Sequence, residues 1–276
     1  AEAGGSGVPR LVEGSGVKLM AAGVSNVGMK RAHNEDSYRL VPEENLFVVA
    51  DGMGGHASGE VASAIAVESV EEFFRLTSAD EEQTWPFKEE RGLKYEENRL
   101  ATSIKLANRR IYETAQADVR KRGMGTTVVG ALFTHNGAYI GHCGDSRCYR
   151  FRLGKLEQLT EDHSLLNDYL KNHKLSQDEI DNFPHKNVIV RALGMKDTVQ
   201  VDISRLEPQP HDIYLLCSDG LSGMVHDPEL ADRIGEFAGD VSKASDIETL
   251  CNTLIDAANK NGGVDNVTVV AIRVLP

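Results

Sequence analysis

Basic residues are in short supply. The chain has 30 Lys and Arg against 42 Asp and Glu, a formal charge of −12 over 276 residues. That balance argues against a nucleic-acid binder, which needs a basic face for the phosphate backbone. It also conflicts with a phosphorylated substrate unless bound cations reverse the local sign. The plainer reading is an acidic surface that favours solubility. Cysteine is scarce too: Cys143, Cys148, Cys217 and Cys251. None forms a CxxC and no His stands beside them at zinc spacing, which excludes the common zinc modules. Two lie in apolar runs and read as core thiols of a reduced, cytoplasmic compartment. No apolar run reaches the roughly 18 residues of a membrane-spanning helix. Nor does a basic stretch followed by an apolar one mark a signal peptide. Residues 1–16, rich in Gly and Ser, read as a flexible tail or linker. Residues 17–276 are then one domain, long but within range for a large sandwich or barrel.

What is present is a strand-rich pattern with two groups of helices. Lys18–Gly23 and the apolar LFVVA of Leu46–Ala50 read as strands. Ala62, Ile65, Ala66, Val70, Phe73 and Phe74 recur at helical spacing. So do Leu100, Ile104, Ala107, Ile111 and Ala115, in a second helix expected over Glu96–Lys121. Residues 76–98, with Pro86 and Gly92, read as an inserted surface loop. Thr126–Thr134 and Ala138–Cys143 form a hairpin about HNG, and Cys148–Leu153 with Lys155–Leu159 another about Gly154. The polar stretch 161–187 contains a capping box at Ser176-Gln177-Asp178-Glu179 and interrupts the strands like a flap. Ile213–Cys217 and Asn266–Val274 are strands, with helices near Asp227–Phe237 and Ile247–Lys260 between them. Strand and helix do not alternate throughout, which disfavours a doubly wound parallel sheet. Packed sheets with helices outside is the expected fold class, α+β.

Four Asp residues share one setting. Asp51 ends FVVAD, Asp145 ends YIGHCGD, Asp219 ends YLLCSD and Asp265 opens DNVTVVAI, each with a glycine close by. Strand ends are rigid enough to fix carboxylates around a point, and a neighbouring Gly allows close approach. Carboxylate and carbonyl oxygens without His or Cys select hard cations such as Mg²⁺ or Mn²⁺. Convergent carboxylates can hold two ions roughly 3.5–4 Å apart, acidify a water and clamp a phosphoryl group. Singly, each is better explained as capping a turn; together, and with HNED at 33–36, they point to a two-metal hydrolase. Arg31 in KRAHNED offers a bidentate fork for phosphate, or a surface pair with Glu35. His142-Cys143 is not a cysteine-phosphatase loop, because Arg147 follows after only three residues rather than five.

The ordered set KRAHNEDS, VVADGMGGHASGEVAS, GMGTTVVGAL, HCGDSRCYR, LTEDHS, VIVRALG, LLCSDGLSGMV and DNVTVVAI resembles the type 2C metal-dependent protein serine/threonine phosphatases in their bacterial form, over residues 18–275. The resemblance implies a four-layer α-β-β-α sandwich of two antiparallel sheets flanked by helices, with a flap at about 161–190 beside the cleft. It implies that Asp51 bridges two Mn²⁺ or Mg²⁺ ions, that the Gly52 carbonyl ligates one, and that Asp219 and Asp265 ligate the other. Glu35 and Asp36 match positions acting through ion-bound waters. Asp145, with Asp219, matches a third, weaker site, and Arg31 matches the phosphate-binding arginine. The implied reaction is in-line attack by an ion-bridging hydroxide on phosphoserine or phosphothreonine, with no phospho-enzyme. Phosphorylated proteins and an opposing Ser/Thr kinase are the implied partners of a monomeric enzyme. Eukaryotic relatives carry His as general acid straight after the Asp-Gly pair; here Met53 stands there, as in bacterial members, and His56 is three residues on. Two alternatives stay open: a catalytically silent sensor on the same fold, disfavoured by the intact Asp51, Asp219 and Asp265, and a phosphohydrolase of small phosphomonoesters.

Overall fold

A computed structural model describes residues 10–14, 17–56, 58–78, 84–238 and 244–276. In chain order the elements are β1 (Arg10–Gly14), β2 (Val17–Asn26), β3 (Asp36–Val41), β4 (Leu46–Met53), α1 (Ser58–Ser78) and α2 (Tyr95–Ala117). There follow β5 (Gly125–Thr126), β6 (Val128–Thr134), β7 (Gly137–Cys143), β8 (Arg147–Arg152), β9 (Lys155–Gln158), α3 (Leu165–Leu170) and α4 (Gln177–Asp181). The chain continues with β10 (Asp202–Leu206), β11 (Ile213–Cys217), α5 (Asp219–Ser222), α6 (Asp227–Ala238), α7 (Ala244–Lys260) and β12 (Val267–Val274). One sheet runs β1-β2-β12-β11-β8-β9 and the other β10-β7-β6-β4-β3, with β5 added to the end of β4. Every pairing is antiparallel.

Side-chain alternation sorts the layers. Val267, Val269 and Ala271 of β12 pack with Ile247, Leu250, Leu254 and Leu230 of the helices on one side. Val270, Ile272 and Val274 of the same strand face the second sheet, where they meet Phe47, Val49, Val129 and Phe133. In β4, Leu46, Val48 and Ala50 point the other way, against Ala66, Val70, Phe74 and Ile104 of α1 and α2. A period of two therefore makes each central strand serve two cores. The result is the expected α-β-β-α sandwich.

Some boundaries differ from expectation. Of the expected tail, residues 1–9, 15 and 16 lie outside the described residues, while Arg10–Gly14 pair with β2 at the sheet edge. The second helix stops at Ala117, because the Asp118 carboxylate accepts from the Arg120 N–H and starts a separate short turn. The expected strand Thr126–Thr134 breaks at Thr127 into β5 and β6. Between Ser164 and Ile189, an isolated bridge closes the polar insertion into a loop carrying α3 and α4, the latter with its capping box in place.

Candidate active site

The site lies where the inter-sheet core runs out. Along β4, Phe47 and Val49 face the other sheet, so the next residue of that parity, Asp51, lies at the end of the same face. Its register partner in β3 is Asp36, which precedes Tyr38 and Leu40 on the matching parity. Two carboxylates directly opposed across an antiparallel pair repel each other. A third acid enters from the other sheet: β11 delivers Ser218 and then Asp219, and Asp265 precedes β12.

Hydrogen bonds fix these groups from behind. Asp51 donates its N–H to Thr127 Oγ1 at 3.0 Å, and its carbonyl accepts from the Thr127 N–H at 2.9 Å. Thr127 Oγ1 lies 2.6 Å from Ser146 Oγ, beside Asp145. The break between β5 and β6 thus holds the backbone of one acid and borders another. Asp36 Oδ2 accepts from Ser218 Oγ at 2.9 Å and from Thr268 Oγ1 at 2.7 Å. Behind Thr268 a relay runs back through Ser25 Oγ at 2.7 Å to the Asn34 amide at 2.8 Å, and such chains polarise each member. Gly52 donates to the Glu35 carbonyl at 3.1 Å. A side chain at Gly52 would overlap the Gly59 carbonyl at the start of α1, so only glycine fits there.

The electrostatics are those of an acid cluster with too little counter-charge. Burial pushes the Asp36 carboxyl up to about 7. Burial raises Asp51 well above the carboxylate range, and the charges of Asp36 and Asp219 raise it further. Asp145 is likewise held well above its ordinary value, by burial and then by Asp219. Burial also raises Asp219 and Glu35. One carboxylate oxygen each on Asp36, Asp145 and Asp219 is buried with no hydrogen-bond partner. An ionised carboxylate only accepts, and burying it without a donor or cation is costly. Several hard oxygens, mutual repulsion and orphaned acceptors fit a group of divalent cations. Arg31 lies at the mouth, 56% exposed, with Nε 3.4 Å from Asp265 Oδ1.

Asp36, Asp51, Asp145, Asp219 and Asp265 thus act on one another as one acid cluster, with Glu35 and Arg31 beside it. Those missed from sequence are the hydroxyls and amides behind them: Ser25, Thr127, Ser146, Ser218, Asn266 and Thr268. Ser218 and Thr268 sit beside Asp219 and in DNVT, and parity along β11 and β12 is the signal that turns them inward. Met53 is half-buried at the end of β4, and His56 lies exposed in the following loop with φ 55°. Cys143 is buried on the helix-facing side and its thiol is pushed up to about 12, so it offers no thiolate.

A second cluster, His142, His163 and Asp202, has metal-ligand composition. Its geometry is that of a strut. His163 Nδ1 accepts from the Gly144 N–H at 2.9 Å, which leaves its Nε2–H to donate to Asp202 Oδ2 at 2.8 Å. The rings of His142 and His163 are stacked at 4.6 Å with planes 9° apart. In-plane lone pairs of parallel rings do not converge on one ion.

Comparison with known proteins bears on the family and the fold. The family model described as protein phosphatase 2C matches residues 28–255. A serine/threonine phosphatase of Listeria welshimeri is 36% identical over 253 residues, covering 89% of this chain and 92% of its own length. The crystal structure of the Mycobacterium tuberculosis serine/threonine phosphatase PstP/Ppp superposes with a TM-score of 0.76 at 31% identity, covering 94% of this chain and 100% of that one. A structure of the PstP catalytic domain in complex with two manganese ions superposes at 0.73 with 31% identity, covering 94% and 99%. With the sandwich, the acid cluster at its edge and these likenesses in hand, the chain belongs to the protein phosphatase 2C family.

Proposed function

We propose that this protein hydrolyses phosphoserine and phosphothreonine in proteins with a pair of Mn²⁺ or Mg²⁺ ions. Asp51 and the Gly52 carbonyl, with Asp219 and Asp265, would hold the pair. Glu35 and Asp36 stand around it, and Asp145 with Asp219 offers a third position. When bound, such ions supply an acidified water and neutralise phosphoryl charge. The observation that carries this reading is the set of buried carboxylate oxygens without partners on Asp36, Asp145 and Asp219, in a member of a phosphatase family.

The chain's own groups divide the remaining work. The Arg31 guanidinium at the mouth forks two phosphoryl oxygens and orients phosphorus toward the acid cluster. The hydroxyls of Ser218 and Thr268 tie down one oxygen of Asp36 and leave the other facing the site. No cysteine nucleophile is on offer, which supports direct transfer to water. Met53 has no proton to give, so the departing alkoxide is not protonated from that position. The insertion 161–190 is the flap beside the cleft. A cytoplasmic monomer opposing a Ser/Thr kinase is the setting that suits these features; no helix among the described residues is long and apolar enough to cross a membrane.

The decisive experiment compares a phosphothreonine peptide, p-nitrophenyl phosphate and a nucleotide, each with Mn²⁺, with EDTA and with a thiol alkylator. Peptide turnover that EDTA abolishes and the alkylator spares is expected. Turnover that survives EDTA would overturn the reading, and preference for the nucleotide would replace a protein substrate by a small one.

A further inference from the structure

Residues 27–33 form a short loop that carries Arg31 to the mouth of the cleft. Met29, Lys30, Arg31, Ala32 and His33 are all exposed. Packing therefore does little to hold the loop, and its position must come from hydrogen bonds. Two of these, and a third just beyond the loop, converge on one side chain, while the Gly28 N–H donates to Asn26 Oδ1 at 2.9 Å. Asn266, only 4% exposed, donates both amide hydrogens, to the Val27 carbonyl at 2.9 Å and the His33 carbonyl at 2.8 Å. Its Oδ1 accepts from the Glu35 N–H at 2.9 Å. The two carbonyls are the two feet of the loop, and the third partner is the residue that continues it into β3. The Asn266 N–H in turn donates to Asp265 Oδ1 at 2.8 Å, the oxygen that Arg31 approaches. The loop is also pressed onto this segment by backbone: Met29 donates to the Gly263 carbonyl at 2.8 Å, and Gly28, at φ 82°, leaves no room for a side chain against the Asp265 carbonyl.

We infer that Asn266 is a positioning residue for phosphate capture, acting through Arg31 by clamping both feet of the loop that bears it. This rests on the reading of Arg31 as the phosphate-holding group. The chemistry of the clamp is demanding. Two donors and one acceptor are needed at one buried point, toward backbone partners only. Asp cannot donate, Leu can do neither, and Gln displaces the amide by a methylene.

The test is a double-mutant cycle on Arg31→Ala and Asn266→Ala, read as KM and kcat for a phosphothreonine peptide and as competitive inhibition by inorganic phosphate. Asn266→Ala is expected to raise KM and the phosphate inhibition constant roughly tenfold with a smaller loss in kcat, and to add less than about twofold when Arg31 is already Ala. Amide exchange of residues 28–33 in EDTA-treated protein should quicken in the variant, a readout that needs neither ions nor turnover. Gly28→Ala pushes the same loop off the Asp265 carbonyl and should reproduce the KM-weighted defect, which keeps the inference testable if Asn266→Ala does not fold. An equal rise in KM with and without Arg31, or unchanged exchange and phosphate inhibition, would overturn it. If Arg31→Ala itself leaves KM and phosphate inhibition unchanged, it is the role of Arg31 that fails, while faster exchange in Asn266→Ala would still support the clamp.

Discussion

At the scale of single residues, the site depends as much on what stands behind the carboxylates as on the carboxylates themselves. Asp36 would be free to turn its second oxygen away without the hydroxyls of Ser218 and Thr268. Removing one of these supports, as in Thr268→Val, should lower kcat/KM about 10–100-fold while leaving the fold intact by circular dichroism. Asp51→Asn removes a charge from the middle of the cluster, and its loss of kcat should exceed that of Thr268→Val in an assay saturated with Mn²⁺. A variant retaining near-normal activity would remove Asp51 from the centre of the site. Asp51 and Asp219 were legible in the sequence because Asp-Gly at the end of an apolar strand is a local pattern. The supporting hydroxyls were not, because Ser and Thr carry no local mark of purpose. Only the side to which β11 and β12 turn them gives Ser218 and Thr268 a role.

Among the elements, the strands most visible in the sequence are those buried on both faces, such as β4, β11 and β12. β10 escaped notice because it is an edge strand, half-buried and interrupted by Ser204 and Arg205. β3 has no counterpart among the expected strands because Asp36, Ser37 and Arg39 interrupt its apolar residues and most of it is half-buried. A similar blindness covers Asn108 on α2. It appears as a polar break in an apolar stripe, yet it is buried, accepts from the Gly194 N–H at 2.7 Å and donates toward the carbonyls of Lys196 and Asp197. Asn108→Ala leaves those groups unmatched against the helix and should cost about 1–3 kcal/mol. A lower urea midpoint with an unchanged slope would register that loss. An unchanged midpoint would mean that water replaces the amide.

For the whole molecule, the acid cluster links stability to cations and to pH. In the absence of ions, Asp36 titrates near 7 in the folded chain against about 3.9 when unfolded. The folded state therefore holds the extra proton between those values, and stability is lost as pH rises through that window. The loss is complete above the folded value and absent below the unfolded one. Divalent ions replace the protons as counter-charge, adding about 2.7 kcal/mol at a free concentration 100 times Kd. The difference in Tm between Mn²⁺-loaded and EDTA-treated protein should widen from pH 5 to pH 7.5, and a gap independent of pH would mean that the cluster does not host the ions. This coupling was only partly legible: the net charge of −12 is spread over the chain, and composition does not say where acids meet. The topology that gathers them has a further outcome. β12 lies between β2 and β11, so residues near position 26 bond to residues near 267. Asp36 thus waits for Ser218 and Thr268, which lie 182 and 232 residues further along the chain. A chain cut before β12 keeps Asp36 and Asp51 but lacks Thr268 and Asp265, so such a truncation is expected to leave the acids without an assembled cluster.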